Sequence, residues 1–295
     1  MAGLIGHIVN RAATGGDRRV EAAPAVILRA PESFSQLDEC LAEMRAEGVE
    51  TLVIDGGDGT VREVISRAPE IWGGAPIRYA IAPNGNTNLI ARHAGGVPPG
   101  RVAALAEPGG GERATRLPVM KVERAGEQAL RGFILGAGAY ETATRFAQEE
   151  IGARHARQVM ETVMKVLRSA ELRAPTAMGL ARDGGEMVEE ARLAAAFTTF
   201  TKPLILGLNP FATAEAGPIR MIDIAANPPR LVLAAGFLAA GKPRKWMRGH
   251  YRVGACETAS LRLSTGFVMD GERFEPGADG LLRLSAAETA TFLSL

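Results

Sequence analysis

Residues 51–60 read Thr-Leu-Val-Ile-Asp-Gly-Gly-Asp-Gly-Thr, and this stretch decides the fold of the chain. Its first four residues are apolar or β-branched and predict a buried strand. The residues after the glycines predict a helix, because they put apolar side chains on one helical face: Val61, Val64, Ile65 and Ala68. A strand, a glycine turn and a helix start together predict a phosphate-binding loop, since glycines let backbone N–H groups approach phosphate oxygens.

A carboxylate inside this loop is unexpected for a site that only binds phosphate. Asp58 adds negative charge at the place where an anion would lie. The residue makes more sense if it holds a metal–phosphate group or accepts a proton from an attacking hydroxyl.

Composition excludes several classes of function. The 295 residues carry a formal net charge of +1, so we expect no general attraction for nucleic acid. Cys40 and Cys256 fit no metal-ligand spacing and favour a reducing compartment. The chain shows no signal-peptide pattern, and no apolar run approaches the ~20 residues of a spanning helix. We therefore expect a cytoplasmic protein.

The order of predicted elements indicates two domains. Strands and helices alternate over residues 1–118, which is typical of an α/β domain with a parallel sheet. After a glycine-rich segment, residues 119–285 predict a mainly antiparallel β-sandwich with a helical insertion at about 153–170. The last residues, 286–295, predict a closing helix that completes the first domain.

Two further segments carry polar residues at predicted turns. Pro83–Arg92 again lies between a strand and a helix, and consecutive parallel strands would put both loops at one sheet edge. An ordinary polar loop that caps a helix is the alternative. Asp270-Gly271-Glu272 follows a late strand and brings two carboxylates, although Asp-Gly is also a common hairpin turn.

Together these segments resemble the diacylglycerol kinase catalytic-domain family, which includes bacterial lipid kinases and sphingosine and ceramide kinases. Gly56–Thr60 matches the family's most specific block in full, and Asp270-Gly271-Glu272 matches its late block. The segment 83–92 is similar to the block Pro-x-Gly-Thr-x-Asn-Asp-x-Ala-Arg. The segment 8–15 is similar to the family's first block. In these two blocks the chain departs from the family at three positions, with Arg11 for Pro, Asn86 for Thr and Leu89 for Asp.

The resemblance implies a fold like those of NAD kinases and diacylglycerol kinases, with ATP and lipid meeting between the two domains. It implies transfer of the γ-phosphoryl group of ATP to a lipid hydroxyl, with Mg²⁺. Glu272 is the implied general base, Asp58 a base or metal–phosphate residue, and Asp270 a residue that orients the turn or binds metal. The residues implied in nucleotide binding are Asn10, Thr14, Gly56, Gly57, Gly59, Thr60, Glu63, Gly85, Asn86, Thr87, Asn88 and Arg92.

The departures bear on metal and acceptor. Many bacterial members of the family hold a structural metal through residues that are Leu89 and Ala216 here. Neither side chain offers the oxygen ligand that a hard cation needs, so we expect this accessory site to be absent. Diacylglycerol and a ceramide or sphingoid lipid are the leading acceptors, and the residues that would hold any metal stay unassigned.

Residues 242–252 combine basic side chains with Trp246 and Tyr251. Basic residues near an anionic leaflet and aromatic rings at the interface favour peripheral contact with the inner face of the membrane. A solvated charged loop is the alternative. The oligomeric state is left open, with a homodimer among the options.

Two other functions remain open. An NAD kinase or phosphofructokinase-like enzyme would share the Gly-Gly-Asp-Gly-Thr loop, but this chain contains no Asn-Glu pair of the kind found in NAD kinases. A nucleotide-binding regulator without activity is favoured by Arg11, Asn86 and Leu89, whereas Asp58 and Glu272 argue against it.

Overall fold

The computed structural model describes residues 3–13, 23–107, 113–151, 168–169, 174–204 and 207–295. The chain divides into two compact units, Met1–Leu117 with Thr289–Leu295, and Pro118–Glu288. Nearly all of the insertion predicted at 153–170, and the predicted site residue Thr14, lie outside the described residues. No helix in the described part of the chain has the length and apolarity that crossing a membrane requires.

The first unit is an α/β domain with a parallel sheet. Its elements are β1 (Ile5–Val9), β2 (Val26–Arg29), α1 (Phe34–Ala46), β3 (Thr51–Gly56), α2 (Asp58–Ile71), β4 (Arg78–Pro83), α3 (Leu89–Ala94) and a 3-10 helix (Pro99–Ala106). The strands lie in the order β2-β1-β3-β4, and each neighbouring pair is parallel. The α/β fold predicted from the alternation of strands and helices is confirmed.

The helices form where the sequence supplies a start signal and an apolar face. The Ser33 hydroxyl accepts a hydrogen bond from the Gln36 amide at 3.2 Å and caps α1, which buries Leu37, Leu41 and Met44. Helix α2 buries the predicted apolar face, and the side chains of Leu52, Val53 and Ile54 are fully buried in the sheet below it.

The second unit is β-rich and antiparallel, as predicted. Its strands are β5 (Arg113–Arg124, which begins in the first unit), β6 (Leu130–Gly132), β7 (Ile134–Gly138), β8 (Thr176–Arg182), β9 (Val188–Thr198), β10 (Ile219–Ala225), β11 (Tyr251–Cys256), β12 (Thr258–Leu263), β13 (Phe267–Met269), β14 (Glu272–Phe274) and β15 (Leu281–Ser294). Its helices are α4 (Ala139–Ile151), α5 (Leu231–Ala239) and a 3-10 turn (Lys245–Met247). Strand β9 pairs with β7, β8 and β10, all antiparallel.

A buried ion pair lies between two strands of this second unit. Arg192 on β9 and Asp223 on β10 are 2% and 3% exposed, and the arginine Nε lies 3.0 Å from the Asp223 carboxylate. Arg192 also donates to the carbonyl of Met178, so its guanidinium is paired on more than one side. A buried charge without such partners would be costly, and the pair therefore depends on both residues.

The helix predicted for residues 286–295 is wrong. These residues belong to the long strand β15, whose end pairs in parallel with β4 through Thr291↔Arg78 and Leu293↔Ala80. The Phe292 ring lies 5.7 Å from the ring of Tyr79, centroid to centroid. Threonine and phenylalanine favour a strand that packs against a sheet face, and β4 offers backbone groups that need a partner.

Candidate functional site

The two glycine loops of the first unit touch each other. Strands β3 and β4 pair through Gly56↔Pro83, and the Asn84 amide donates to the Gly56 carbonyl at 2.9 Å. A Cβ atom added at Gly85 would lie 2.6 Å from the Cα of Gly57. Glycine at both positions therefore allows the backbones to meet, and the prediction that the loops share one sheet edge is confirmed.

The N-terminus of α2 faces the first loop without a side-chain cap. Gly57 is the N-cap residue in extended conformation, and as a glycine it has no side chain to accept from the first-turn amides. The first-turn amides of a helix lack acceptors within the helix, and the partial positive charge there attracts anions. These amides are the groups of the described first unit best suited to a phosphate.

Side chains beside this helix start hold each other in place. The Asn10 side-chain amide donates to the Thr60 hydroxyl at 2.8 Å, and the Asn10 oxygen accepts from the Ala12 amide at 3.0 Å. A Cβ atom at Gly56 would lie 2.6 Å from the Thr60 side chain, so glycine is required there. The structure thus brings together the predicted residues Asn10, Gly56 and Thr60.

Asp58 joins the two loops through its carboxylate. Its Oδ2 accepts from the Thr87 hydroxyl at 2.6 Å and from the Leu89 amide at 2.9 Å. Its Oδ1 accepts from the Ile90 amide at 2.8 Å. The carboxylate therefore caps α3 from the first turn of α2, and it keeps only about one of its four lone pairs for another group.

The second loop is closed by Asn88. This residue has a left-handed backbone with φ 47°, and its side chain bonds both the amide and the carbonyl of Gly85, at 2.8 and 2.7 Å. The Arg92 Nε donates to the Thr87 carbonyl at 3.3 Å, while Asn86 is exposed at the tip. The predicted residues of this block therefore form one local structure around Asp58.

Glu63 lies in an ion-pair network between two helices. One of its oxygens is 2.7 Å from the guanidinium of the fully buried Arg62, and the other is 3.1 Å from that of Arg67. Arg67 also pairs with Asp38 on α1 at 2.8 Å. Both oxygens of Glu63 thus contribute to helix packing, and its role in nucleotide binding stays a prediction.

Sequence reasoning passed over three buried polar residues around the loops. Asp55, Arg62 and Asn84 are each at most 1% exposed, and Asp55 and Asn84 each lie within one residue of a strand end at the loops. A charged residue that directly follows an apolar run was the available signal for Asp55. Arg62 gave no such signal, because it stands next to Glu63 in an amphipathic helix, where charged residues are common.

The late Asp-Gly segment forms a hairpin turn in the second unit. Asp270 and Gly271 have φ angles of 47° and 88° and connect β13 to β14, as in the two-residue turns that need positive φ at both positions. The Asp270 carboxylate accepts from the amides of Phe133 and Ile134, the latter at 2.9 Å. Asp270 therefore orients the turn, and the exposed Glu272 directly follows it.

The carboxylates proposed for catalysis belong to different units, Asp58 to the first and Glu272 to the second. That they flank one triphosphate stays a prediction. Within the described ranges, no three His, Cys, Asp or Glu side chains lie close enough together to hold a metal ion. Because Mg²⁺ is commonly held by one or two carboxylates and the substrate's phosphates, Mg²⁺ with ATP also stays a prediction.

Residues 11–122 match the model of the diacylglycerol kinase catalytic domain. The match includes both glycine loops, and it confirms the family resemblance for this part of the chain. No curated protein matches the sequence.

Three solved structures from Bacillus anthracis str. Sterne share the fold of this diacylglycerol kinase-like chain. One is described as a diacylglycerol kinase, with 18% identity, a TM-score of 0.63, and coverage of 98% of this chain and 96% of the other. The other two are provisionally described as diacylglycerol kinases, and each is 15% identical to this chain. Their TM-scores are 0.66 and 0.63, and coverage is 98% and 99% of this chain and 96% and 97% of theirs. At such identities the likeness supports the fold alone.

Proposed function

We propose that this chain is an ATP-dependent lipid kinase, which transfers the γ-phosphoryl group to a hydroxyl of a membrane lipid. The observation that carries the proposal is the uncapped N-terminus of α2, held against a second glycine loop by the Asp58 carboxylate. The family match over residues 11–122 supports it. Diacylglycerol and a ceramide or sphingoid lipid are the proposed acceptors.

The residues of the first unit suit a triphosphate. Backbone amides at the start of α2 offer donors to phosphate oxygens, and the Gly57–Gly85 contact keeps side chains out of that space. Asp58 is the proposed carboxylate ligand of Mg²⁺, because its three hydrogen bonds leave about one lone pair free to bind a cation. The metal would supply neutralisation of phosphate charge, which phosphoryl transfer needs more than covalent chemistry.

Glu272 is the proposed general base of the second unit. In the proposed step, the lipid hydroxyl oxygen bonds to the γ-phosphorus, the bond from that phosphorus to the bridging oxygen breaks, and ADP leaves. The hydroxyl proton passes to the Glu272 carboxylate. Asp270 supports this role because its bonds to the Phe133 and Ile134 amides hold the turn that presents Glu272.

The experiment offers γ-labelled ATP and Mg²⁺ to the purified chain with diacylglycerol, ceramide, sphingosine, NAD and water-soluble acceptors. Chromatography then separates the labelled products. We expect label in a lipid. Label in NAD or another soluble acceptor would favour the soluble-acceptor kinase, and ATP binding without any labelled product would favour an inactive regulator.

Two variants assign the residues. Glu272→Ala should lower turnover about 100-fold or more, the usual scale for a general base. Asp58→Ala should lower it by about 100-fold or more as well, because it removes the proposed carboxylate ligand of Mg²⁺. Glu275→Ala is the matched control, because Glu275 is an exposed carboxylate of the same region that pairs with Arg273. Near-normal lipid phosphorylation by both site variants would contradict the assignment.

A further inference from the structure

Helix α5 of the second unit leaves part of its apolar surface exposed. Its buried face packs Leu231, Ala234 and Leu238 against a cluster that includes Met247 and Tyr251. On the other side, Val232 and Leu233 are 40% and 51% exposed. A short helix that is apolar all round is expected to be buried on every side, so an exposed apolar face needs an explanation.

The chain around this helix is purely basic. From residue 224 to residue 256 the sequence contains no Asp or Glu. The exposed basic residues of that stretch are Arg230, Lys242, Arg244, Lys245 and Arg248. None of these five side chains forms an ion pair with a residue that the structure describes. Arg252 differs, because it pairs with Asp223 at 2.8 Å.

Ring contacts join the basic and apolar side chains into one surface. The Arg244 guanidinium lies 4.6 Å from the centre of the Phe237 ring, and Phe237 follows Leu233 by one helical turn. The Arg230 guanidinium lies 5.7 Å from the centre of the Trp246 ring. Tryptophan rings are enriched at the interface between water and lipid, and arginine is attracted to anionic headgroups.

We propose that this apolar–basic surface docks the chain on an anionic phospholipid bilayer. It consists of Val232, Leu233, Phe237, Trp246, Arg230, Lys242, Arg244, Lys245 and Arg248. The side chains of Val232 and Leu233 enter the boundary between headgroups and acyl chains, while the cations contact the headgroups. The inference rests on the proposed function for its purpose, since a lipid kinase must reach a bilayer, but docking itself requires neither ATP nor turnover.

The combination of side chains selects this partner. A nucleic acid would use the cations but would gain nothing from exposed valine and leucine. A bilayer uses both, because apolar side chains gain from burial and cations from the negative surface potential. An acidic protein partner is the remaining competitor, and the experiment separates it from the bilayer.

The test is sedimentation of the full chain with sucrose-loaded vesicles, without ATP. One set contains phosphatidylcholine alone, and the other also contains about 30% phosphatidylglycerol. We expect binding to the anionic vesicles that weakens as salt rises, because salt screens the headgroup charge. Lys242→Glu with Lys245→Glu should weaken binding at least 25-fold, about five-fold for each lost cation.

The decisive variant is Val232→Ser with Leu233→Ser, which should weaken binding to anionic vesicles about 10-fold or more. Both positions are exposed, so the variant should fold, and its unfolding temperature verifies this. Val188→Ser is the matched control: Val188 is 52% exposed in the same unit but stands next to Glu189 and Glu190. Its binding should equal that of the parent chain.

The outcomes separate docking from catalysis. Undiminished vesicle binding by the Val232 and Leu233 variant would overturn the proposal and leave the surface to a protein partner. If the parent chain phosphorylates detergent-dispersed lipid but does not bind anionic vesicles, docking is wrong and the proposed function stands. If it binds vesicles through this surface and phosphorylates no lipid, docking stands and the proposed function is wrong.

Discussion

Asp58→Asn distinguishes two roles of the Asp58 carboxylate. One is a chemical role in phosphoryl transfer. The other is to hold the two glycine loops together through hydrogen bonds, which we call the clamp. The substitution preserves shape but removes the charge and replaces one oxygen by an amino group. If the asparagine oxygen takes the place of Oδ2, it keeps the donors Thr87 and Leu89. The amino group then faces the Ile90 amide, so that a donor meets a donor.

The expected loss follows from these contacts. A hydrogen bond to a charged group contributes about 1.5–3 kcal/mol, and a carboxylate at a helix N-terminus contributes roughly 0.3–1 kcal/mol. We therefore expect Asp58→Asn to lower the free energy of unfolding of the first unit by about 2–4 kcal/mol. A carboxylate that acted only as a base would change it by less than about 0.5 kcal/mol.

The assay is urea unfolding followed by tryptophan fluorescence. The chain has two tryptophans, and Trp72 is the one in the first unit, where it is 3% exposed. A Trp246→Phe background therefore makes fluorescence report on the first unit alone. Thr87→Val is the matched variant, because it removes one donor to the carboxylate and leaves the charge.

If the Asp58 carboxylate holds the two loops together, the effects of the two substitutions on stability must depend on each other. Thr87→Val should cost about 1 kcal/mol by itself, and less when Asp58 is already Asn, because the two residues share one hydrogen bond. An Asp58→Asn chain with the stability of its parent, or costs that simply add, would refute the clamp and leave the carboxylate to chemistry alone.

Three further substitutions test other parts of the structure. Burial lowers the pKa of His7 to about 4 from its ordinary 6.5. The contribution of neutral His7 to the free energy of unfolding should therefore be complete above pH 6.5 and fall by about 1.4 kcal/mol per pH unit towards pH 4. His7→Leu should flatten this slope in urea titrations at several pH values. Gly85→Ala should weaken ATP binding in calorimetry at least 10-fold by separating the loops, whereas Gly100→Ala, with no atom within 4 Å of the added Cβ, should not. Asp223→Ala should destabilise the second unit by about 1.5–3 kcal/mol, because it removes the buried carboxylate from Arg192 and leaves Glu190 as its acidic partner. Glu189→Ala, at an exposed ion pair, should cost less than about 1 kcal/mol in the same thermal or urea unfolding.

Local patterns predicted the first unit well because its signals are short in range. The apolar strand, the glycines and the helix face around Asp58 are contiguous, and Ser33 caps α1 from the position directly before it. The meeting of the two loops also followed from sequence, since parallel neighbours place their carboxyl ends at one edge.

The misjudged C-terminal segment shows the opposite case. Residues 286–295 contain enough alanine to favour a helix, and their local pattern does not predict a strand. Thr291, Phe292 and Leu293 form a strand because β4 presents a backbone edge and Tyr79 a ring surface, more than two hundred residues earlier in the chain. The stability of a strand depends on the strand that it pairs with. A partner that is distant in sequence does not affect the local pattern of apolar residues, so this pattern could not predict the pairing.

The same contrast holds within the candidate site. The sequence by itself determined that a glycine loop with a carboxylate follows a buried strand, because backbone freedom and helix-start chemistry belong to the residues in that stretch. Tertiary structure alone decided that Asp58 caps α3, with hydrogen-bond partners 29 to 32 residues along the chain, and that Asp270 bonds amides about 136 residues before it. Residue type determines which hydrogen bonds a carboxylate can accept, and packing of distant segments determines which donors reach it.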